Sequence, residues 1–170
     1  MKKMKRLVAV LLVGIMALAM LTACGVTPSA PSMRDTALER DVAQWTVELG
    51  QSNGLTLTVD SELTKISNSC LPVAVKAVDA RLAFPRDWNV YNNALNEQKT
   101  FFAEAKKGKT AALVPVDFPS EEEVTKKTLA NRMDDIQYKL NEDGVKNPTK
   151  FGVTVTKQKE YTLLLFVVSE

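Results

Sequence analysis

The C-terminal stretch of this chain constrains the fold most, because it carries the clearest β pattern. Phe151, Val153 and Val155 alternate with glycine and threonine, and residues 161–168 are apolar at almost every position. Alternation is typical of a strand with one exposed face, and a continuous apolar run is typical of a central strand. A short polar turn separates the two segments, so the pattern predicts a β-hairpin at the end of the domain.

Helical periodicity precedes the hairpin. Leu38, Val42 and Leu49 fall on one face of a helix that Asp35 or the next residue can cap, and Gly50 and the Asn53-Gly54 pair end it. A second helix is predicted to begin at residue 60 or 61 and to be interrupted or restarted at proline 72. Residues 92–107 predict a third helix.

The segment after the third helix predicts a short strand and a long helix. Residues 111–116 are apolar, and Pro115 assigns them to the edge of a sheet because proline cannot donate to a ladder. Ser120 and Glu123 have the spacing of a capping box, which predicts a helix from there to about residue 140. Helices followed by a terminal hairpin indicate an α+β fold.

The first 23 residues have the pattern of an export signal. Residues 2–6 are basic, residues 7–21 are apolar, and Leu21-Thr22-Ala23-Cys24 follows. Those four residues resemble the bacterial lipobox, which implies cleavage before Cys24 and attachment of acyl chains to it. The alternatives are an ordinary signal peptide with a chance cysteine, or an uncleaved anchor. The lipoprotein interpretation predicts a protein held by lipid on the extracytoplasmic side of a cell membrane.

Residues 24–34 are rich in proline and serine and predict an extended tether, so the domain is expected to span residues 35–170. Without residues 1–23 the basic residues fall from 22 to 18 against 20 acidic ones, a net charge of about −2. Nucleic-acid binding depends on clustered lysine and arginine, so a nucleic-acid partner is not expected.

The absence of histidine excludes several kinds of active site. A Ser-His-Asp triad, a Cys-His pair and a histidine zinc site cannot form. If Cys24 carries lipid, Cys70 has no partner for an internal disulfide. Its apolar neighbours in the sequence favour a buried thiol.

Three stretches resemble the CAP superfamily, whose members are also called SCP-like domains and include cysteine-rich secretory, antigen 5 and plant pathogenesis-related proteins. In residues 53–63 a Gly-Leu pair ends one helix and a Glu-Leu pair opens the next. In residues 101–124 a Phe-Phe pair precedes a Pro-Ser-Glu-Glu-Glu-Val helix start. Residues 147–166 resemble the family's closing hairpin with its Gly-Val core. The resemblance implies a three-layer α-β-α sandwich with a small antiparallel sheet.

The chain departs from the family at its functional cleft. The family's usual cleft holds two histidines and two acidic residues, sometimes with a divalent metal. Here Leu113-Val114-Pro115-Val116 stands in place of the Gly-Glu-Asn motif, and no histidine is present. The resemblance therefore implies a scaffold without the tetrad, and we expect no catalytic residue, metal or cofactor from it.

Trp88, Tyr91 and Asn92 form the best candidate recognition surface in the sequence. Aromatic rings next to amide side chains suit a sugar or a peptide, because the ring stacks while the amides bind hydroxyl or backbone groups. The alternative is that Trp88 fills the core beneath a loop, and this interpretation is the one that we favour from the sequence.

Three functional hypotheses follow. The first is a non-catalytic lipoprotein that binds an envelope protein or a glycan, or serves as an envelope component. The second is a hydrolase of cell-wall material that uses carboxylates alone, and the third is an adaptor subunit of an envelope complex or transporter. The carboxylates that could serve the second hypothesis are Asp60, Glu62, Asp79, Asp87, Glu97 and Asp117.

Overall fold

The computed structural model describes residues 33–170, so the predicted signal peptide and Cys24 lie outside the described residues. The helices are α1 (Thr36–Ser52), α2 (Ser61–Leu82), α3 (Trp88–Ala105), α4 (Lys126–Ala130) and α5 (Met133–Glu142). The strands are β1 (Met33–Arg34), β2 (Thr58–Val59), β3 (Ala111–Pro119), β4 (Lys150–Lys157) and β5 (Tyr161–Ser169).

The strands form one mixed sheet with the order β1-β4-β5-β3. β4 and β5 are the predicted hairpin, and both lie in the interior of the sheet. β3 pairs with β5 along its whole length and lies at the edge, as Pro115 predicts. β2 runs parallel to the first residues of β4, while β1 pairs antiparallel with its last residues. The predicted α+β class with a C-terminal hairpin is confirmed. The expected antiparallel sheet is instead mixed, because β2 runs parallel to β4.

Helices cover both faces of this sheet, which gives the three-layer arrangement. On one face α1, α4 and α5 pack over the even-numbered residues of β5, including Leu164 and Phe166. On the other face α2 and α3 pack over its odd-numbered residues, including Leu163 and Leu165. β5 therefore contributes to both cores, which explains why its sequence is apolar at nearly every position.

The prediction that β4 is half exposed is wrong. Thr154 and Thr156 are fully buried, because α2 covers the face that the alternation assigned to solvent. Gly152 makes this close approach possible: a Cβ atom there would lie 2.1 Å from the backbone nitrogen of Thr64 in α2. Threonine and glycine thus mark a tightly packed helix–strand contact rather than an exposed surface.

The predicted bounds of α1 are confirmed, and those of α2 and α3 need correction. Asp35 caps α1 by accepting a hydrogen bond from the backbone N–H of Leu38. Pro72 does not interrupt α2, because it lies on the exposed side while Cys70 and its neighbours anchor the helix to the sheet. α3 begins at Trp88, four residues before the predicted start, since Asp87 caps it.

The predicted helix from Ser120 to residue 140 is also wrong in its first part. The backbone N–H of Ser120 donates to the carbonyl of Glu160, which ties this segment to the β4–β5 turn. The capping box is formed instead by Thr125 and Thr128, and residues 131–132 separate α4 from α5. A threonine pair forms this box in place of the expected serine–glutamate pair. Each threonine hydroxyl accepts a hydrogen bond from the backbone N–H of the other threonine.

The sheet begins before the predicted domain boundary. Met33 pairs with Lys157 and Arg34 pairs with Thr156, so the last two residues assigned to the tether belong to the fold. No helix among the described residues has the length and apolar character needed to cross a membrane.

Candidate functional site

A cleft of about 290 Å³ lies at the open edge of the sheet, between α3, β3 and α5. α3 belongs to one helical layer and α5 to the other, so the cleft opens where the two layers flank the outer side of β3. Its apolar lining is formed by Leu95, Phe102, Ala103, Ala111, Leu113 and Pro115. Its polar lining is formed by Gln98, Lys99, Lys106, Lys139 and Asp143.

The backbone of β3 turns unpaired hydrogen-bonding groups towards the cleft. On the opposite edge of the sheet, the carbonyl of Val155 accepts from the N–H of Asp35 at 3.0 Å, so the odd-numbered residues of β4 point away from β5. In an antiparallel ladder, successive residues direct their backbone groups to opposite neighbouring strands. The registers of β4 with β5 and of β5 with β3 therefore place the outward-directed groups of β3 on its odd-numbered residues. Ala111 and Leu113 therefore direct N–H and C=O groups outward, where no hydrogen-bonding partner is found within residues 33–170.

Gln98 is the most unusual side chain of the cleft. It is only 5% exposed, and its amide nitrogen has no hydrogen-bond partner in the described part of the chain. Its position on α3 follows from the helical repeat, since Leu95 and Phe102 lie three residues before it and four after it on the same face. A buried amide without a partner is destabilising, so this nitrogen lowers the stability of the wall of the cleft.

Lysine side chains give the rim a positive character. The ammonium group of Lys106 lies 5.5 Å from the ring centre of Phe102, and neither Lys106 nor Lys99 forms a salt bridge with another described residue. Lys139 is different, because it pairs with Glu142 and Asp143. Burial alone would lower the pKa of Lys139, but these two carboxylates together raise it.

The residues predicted to form a recognition surface lie outside this cleft. Trp88, Tyr91 and Asn92 are on the first turns of α3, and Trp88 is 60% exposed. Its ring meets that of Tyr91 edge-on at 6.1 Å between centres. The favoured interpretation of Trp88 as a core residue is therefore wrong.

The six candidate carboxylates do not converge on one catalytic centre. Asp60 and Asp87 cap α2 and α3, while Glu62 and Glu97 pair with Lys109 and Lys76. Asp79 accepts the hydroxyl of Tyr161 at 2.7 Å, and Asp117 pairs with Arg81 at 2.6 Å. Each carboxylate already has a structural partner.

Tyr161 lies near both Asp79 and Asp117. Burial, with the hydrogen bond to Asp79 and the nearby negative charges, raises the pKa of the phenol far above its usual range. Tyr161 therefore stays protonated and serves as a hydrogen-bond donor. Among residues 33–170, no group of three or more acidic or cysteine side chains has the arrangement of a metal site.

Cys70 is buried within the core between α2 and the sheet, as the sequence predicts. Burial raises the pKa of its thiol, which keeps it in the unreactive protonated form at neutral pH. Cys24, the predicted lipid attachment site, lies outside the described residues and stays a prediction.

Comparison with protein families, with curated proteins and with solved structures finds no match for this chain. The candidate site therefore rests on the geometry of the cleft. The sequence analysis did not identify Gln98, Lys99 or Lys106 as site residues. One signal was present, since a glutamine between Leu95 and Phe102 interrupts an otherwise apolar helix face.

Proposed function

We propose that this protein is a lipid-anchored, extracytoplasmic binding protein whose cleft takes an extended peptide segment of a partner. The observation that carries the proposal is the free edge of β3 inside a cleft that also contains the unpartnered amide of Gln98. An added strand supplies the hydrogen-bonding partners that this edge lacks, because its backbone carries N–H and C=O groups at the spacing of a sheet.

The charge of the rim favours an acidic peptide. Lys99 directly follows Gln98 on α3 and Lys106 caps the C-terminal end of that helix, and neither has a salt-bridge partner among the described residues. The apolar residues Leu95 and Leu113 form the floor, where alternate apolar side chains of a strand would pack. An extended segment that alternates valine or isoleucine with glutamate or aspartate matches this lining.

This proposal favours the binding and adaptor hypotheses over the hydrolase hypothesis. The six candidate carboxylates are engaged in helix caps, salt bridges and one tyrosine hydrogen bond, which leaves no free acid–base pair in the cleft. Membership of the CAP superfamily stays a proposal, and the three-layer arrangement is consistent with it.

Titration calorimetry with an acetylated peptide of alternating valine and glutamate tests the binding site. Ala111→Pro removes the outward N–H and keeps the ladder to β5, so we expect affinity to fall about tenfold, the loss of roughly one hydrogen bond. Removing the rim charges with Lys99→Gln and Lys106→Gln should weaken binding and reduce its dependence on salt. Lys126→Gln is the matched control, because Lys126 pairs with Glu48 away from the cleft. Equal binding by all variants would contradict the proposal.

The lipid anchor has a separate test. Cells expressing the full chain should incorporate labelled fatty acid into the protein, and the protein should sediment with membranes. Cys24→Ala should lose the label and move to the soluble fraction. An unchanged membrane fraction would contradict attachment at Cys24 without bearing on the cleft.

A further inference from the structure

The segment between α2 and α3 exposes large apolar side chains on an ordered loop. Every residue from 82 to 90 is exposed, and the side chain of Phe84 is completely so. Leu82, Trp88 and Val90 are exposed beside it. Apolar residues of this size scatter singly over most protein surfaces, whereas here four occur within nine residues.

The loop is held in place by polar contacts at both ends. The guanidinium of Arg86 donates to the backbone carbonyl of Arg81 at 2.7 Å and lies 5.0 Å from the ring centre of Trp88. The carboxylate of Asp87 accepts from the backbone N–H of Asn89 at 2.9 Å. These contacts tie the loop to the end of α2 and place Trp88 on the capped first turn of α3.

The sheet registers place this loop at the end of the domain where the described chain begins. Met33 pairs with Lys157, which pairs with Thr162, which pairs with Phe118. The end of α2 lies at the same level, because Arg81 pairs with Asp117. Three strand spacings, about 14 Å, separate the two sides of the sheet at this level.

The length of chain before Met33 brings this end of the domain near a membrane. Met33 lies nine positions after Cys24, with eight residues between them, and nine steps of extended chain reach at most about 31 Å. The cleft lies towards the other end of the sheet, since Ala111 pairs with Ser169, the last residue of β5. A domain anchored through this tether can bring Phe84 and Trp88 to the bilayer while the cleft stays open to solvent.

We infer that the Leu82–Val90 surface is a second membrane contact, in which Phe84 and Trp88 enter the lipid interface. Tryptophan favours that region because its ring is apolar and carries a polar N–H, phenylalanine adds apolar surface, and the cation of Arg86 suits the phosphate groups there. The inference rests on the proposed lipid anchor for its orientation. Two attachment points would fix the domain with the cleft directed away from the membrane.

Tryptophan fluorescence tests this contact, since the chain contains two tryptophans, Trp45 and Trp88. The lipidated full chain is reconstituted in phosphatidylcholine–phosphatidylglycerol vesicles, with or without bromine on the acyl chains. In Trp45→Phe, bromine should quench Trp88 emission about twofold, since the ring enters the interface. In Trp88→Phe, the emission of Trp45, which packs against the core, should be unchanged.

A second variant covers the case in which Trp45→Phe does not fold. Phe84→Cys introduces an accessible thiol in a chain whose Cys70 is buried, and an environment-sensitive fluorophore attached there should shift to the blue in vesicles. Glu97→Cys, on the exposed side of α3, is the matched control and should not shift.

The outcomes separate this inference from the anchor. Vesicle-bound protein with unquenched Trp88 and an unshifted label at position 84 would overturn the contact while leaving the anchor. Quenched Trp88 in the unlipidated Cys24→Ala chain would support the contact and show that it forms without the anchor. Failure of the lipidated chain to float with vesicles would overturn both.

Discussion

The two outer edges of the sheet differ in how far other segments of the chain cover them. The outer edge of β4 is covered at both ends: β1 pairs with one end, β2 pairs with the other, and the carboxylate of Glu39 accepts the backbone N–H of Val155 next to β1. The outer edge of β3 has no such cover among the described residues, and a cleft lies beside it.

Because the β4 edge of the same sheet has such cover, the open edge of β3 is a feature of that strand and not of the sheet as a whole. An unpaired strand edge promotes aggregation, and proteins usually block it. On the β4 side, the block includes a buried carboxylate held by Arg34 in a two-point salt bridge. On the β3 side, Pro115 removes only one outward N–H, while Gln98 adds an unsatisfied group. This contrast favours a site over an incomplete sheet.

The largest loss of stability is expected where α2 packs against β4. Gly152→Ala places a methyl group against the backbone of Thr64 and should lower the free energy of unfolding by roughly 3 kcal/mol or more. Thermal and denaturant unfolding measure it. Thr154→Val, on the same face of β4, is the control and should cost little, because the Thr154 hydroxyl has no hydrogen-bond partner among residues 33–170. Equal losses in both variants would refute the special role of Gly152.

Removing the carboxylate that covers β4 should have the next largest effect. Glu39→Ala leaves the N–H of Val155 unpaired in a buried position and should cost about 2 kcal/mol. Glu48→Ala, on the same helix, loses two exposed contacts, with Lys126 and Gln44, and should cost less than about 0.5 kcal/mol. Denaturant unfolding compares the two, and hydrogen exchange at Val155 should accelerate only in the first.

Beside the open edge of β3, removing a buried polar side chain should raise the stability of the fold rather than lower it. Gln98→Leu removes a buried amide that has no partner among the described residues, so stability should rise by about 1 kcal/mol while peptide binding is lost. Calorimetric melting and peptide titration measure the two effects. Gln44→Leu, at an exposed position on α1, should change neither. A destabilised Gln98→Leu would indicate a structural role for this amide.

The smallest effect is the pH dependence at the closed edge. Hydrogen bonds from the backbone N–H of Leu38, together with Lys157, hold the pKa of Asp35 below its usual range. A lowered pKa in the folded state stabilises the fold above the unfolded pKa of about 3.9, and this stability is lost as pH falls through the folded value. The measurement is denaturant unfolding between pH 5 and pH 2, roughly the range of that titration. Over this range the free energy of unfolding should fall less steeply in Asp35→Asn than in the unsubstituted chain.

Local signals predicted much of the fold, and tertiary contacts decided the rest. Asp35 and the apolar repeat after it predicted α1 correctly, because capping and periodicity act within a few residues. The exposure of β4 was wrong because Gly152 and Thr154 are covered by α2, about ninety residues earlier in the chain, which alternation alone does not encode. The predicted interruption of α2 at Pro72 was wrong for a similar reason, because buried residues on either side of Pro72 hold the helix in place.

The candidate site was harder to predict than the fold. The recognition surface predicted at Trp88 is exposed, but the cleft lies further along α3. Gln98 resembles an ordinary polar residue of a surface helix until α3 is placed beside β3. The free edge itself was foreseeable, because Pro115 predicted an edge strand, whereas the helices that flank it come from separate parts of the chain.

The position of the β4–β5 hairpin has a consequence for how the domain forms during synthesis. Both strands at the middle of the sheet follow the five helices of residues 33–170, and both helical layers rest on them. A ribosome therefore releases these helices while the surface that they cover does not yet exist. The two helical layers can complete their cores only after the hairpin has emerged.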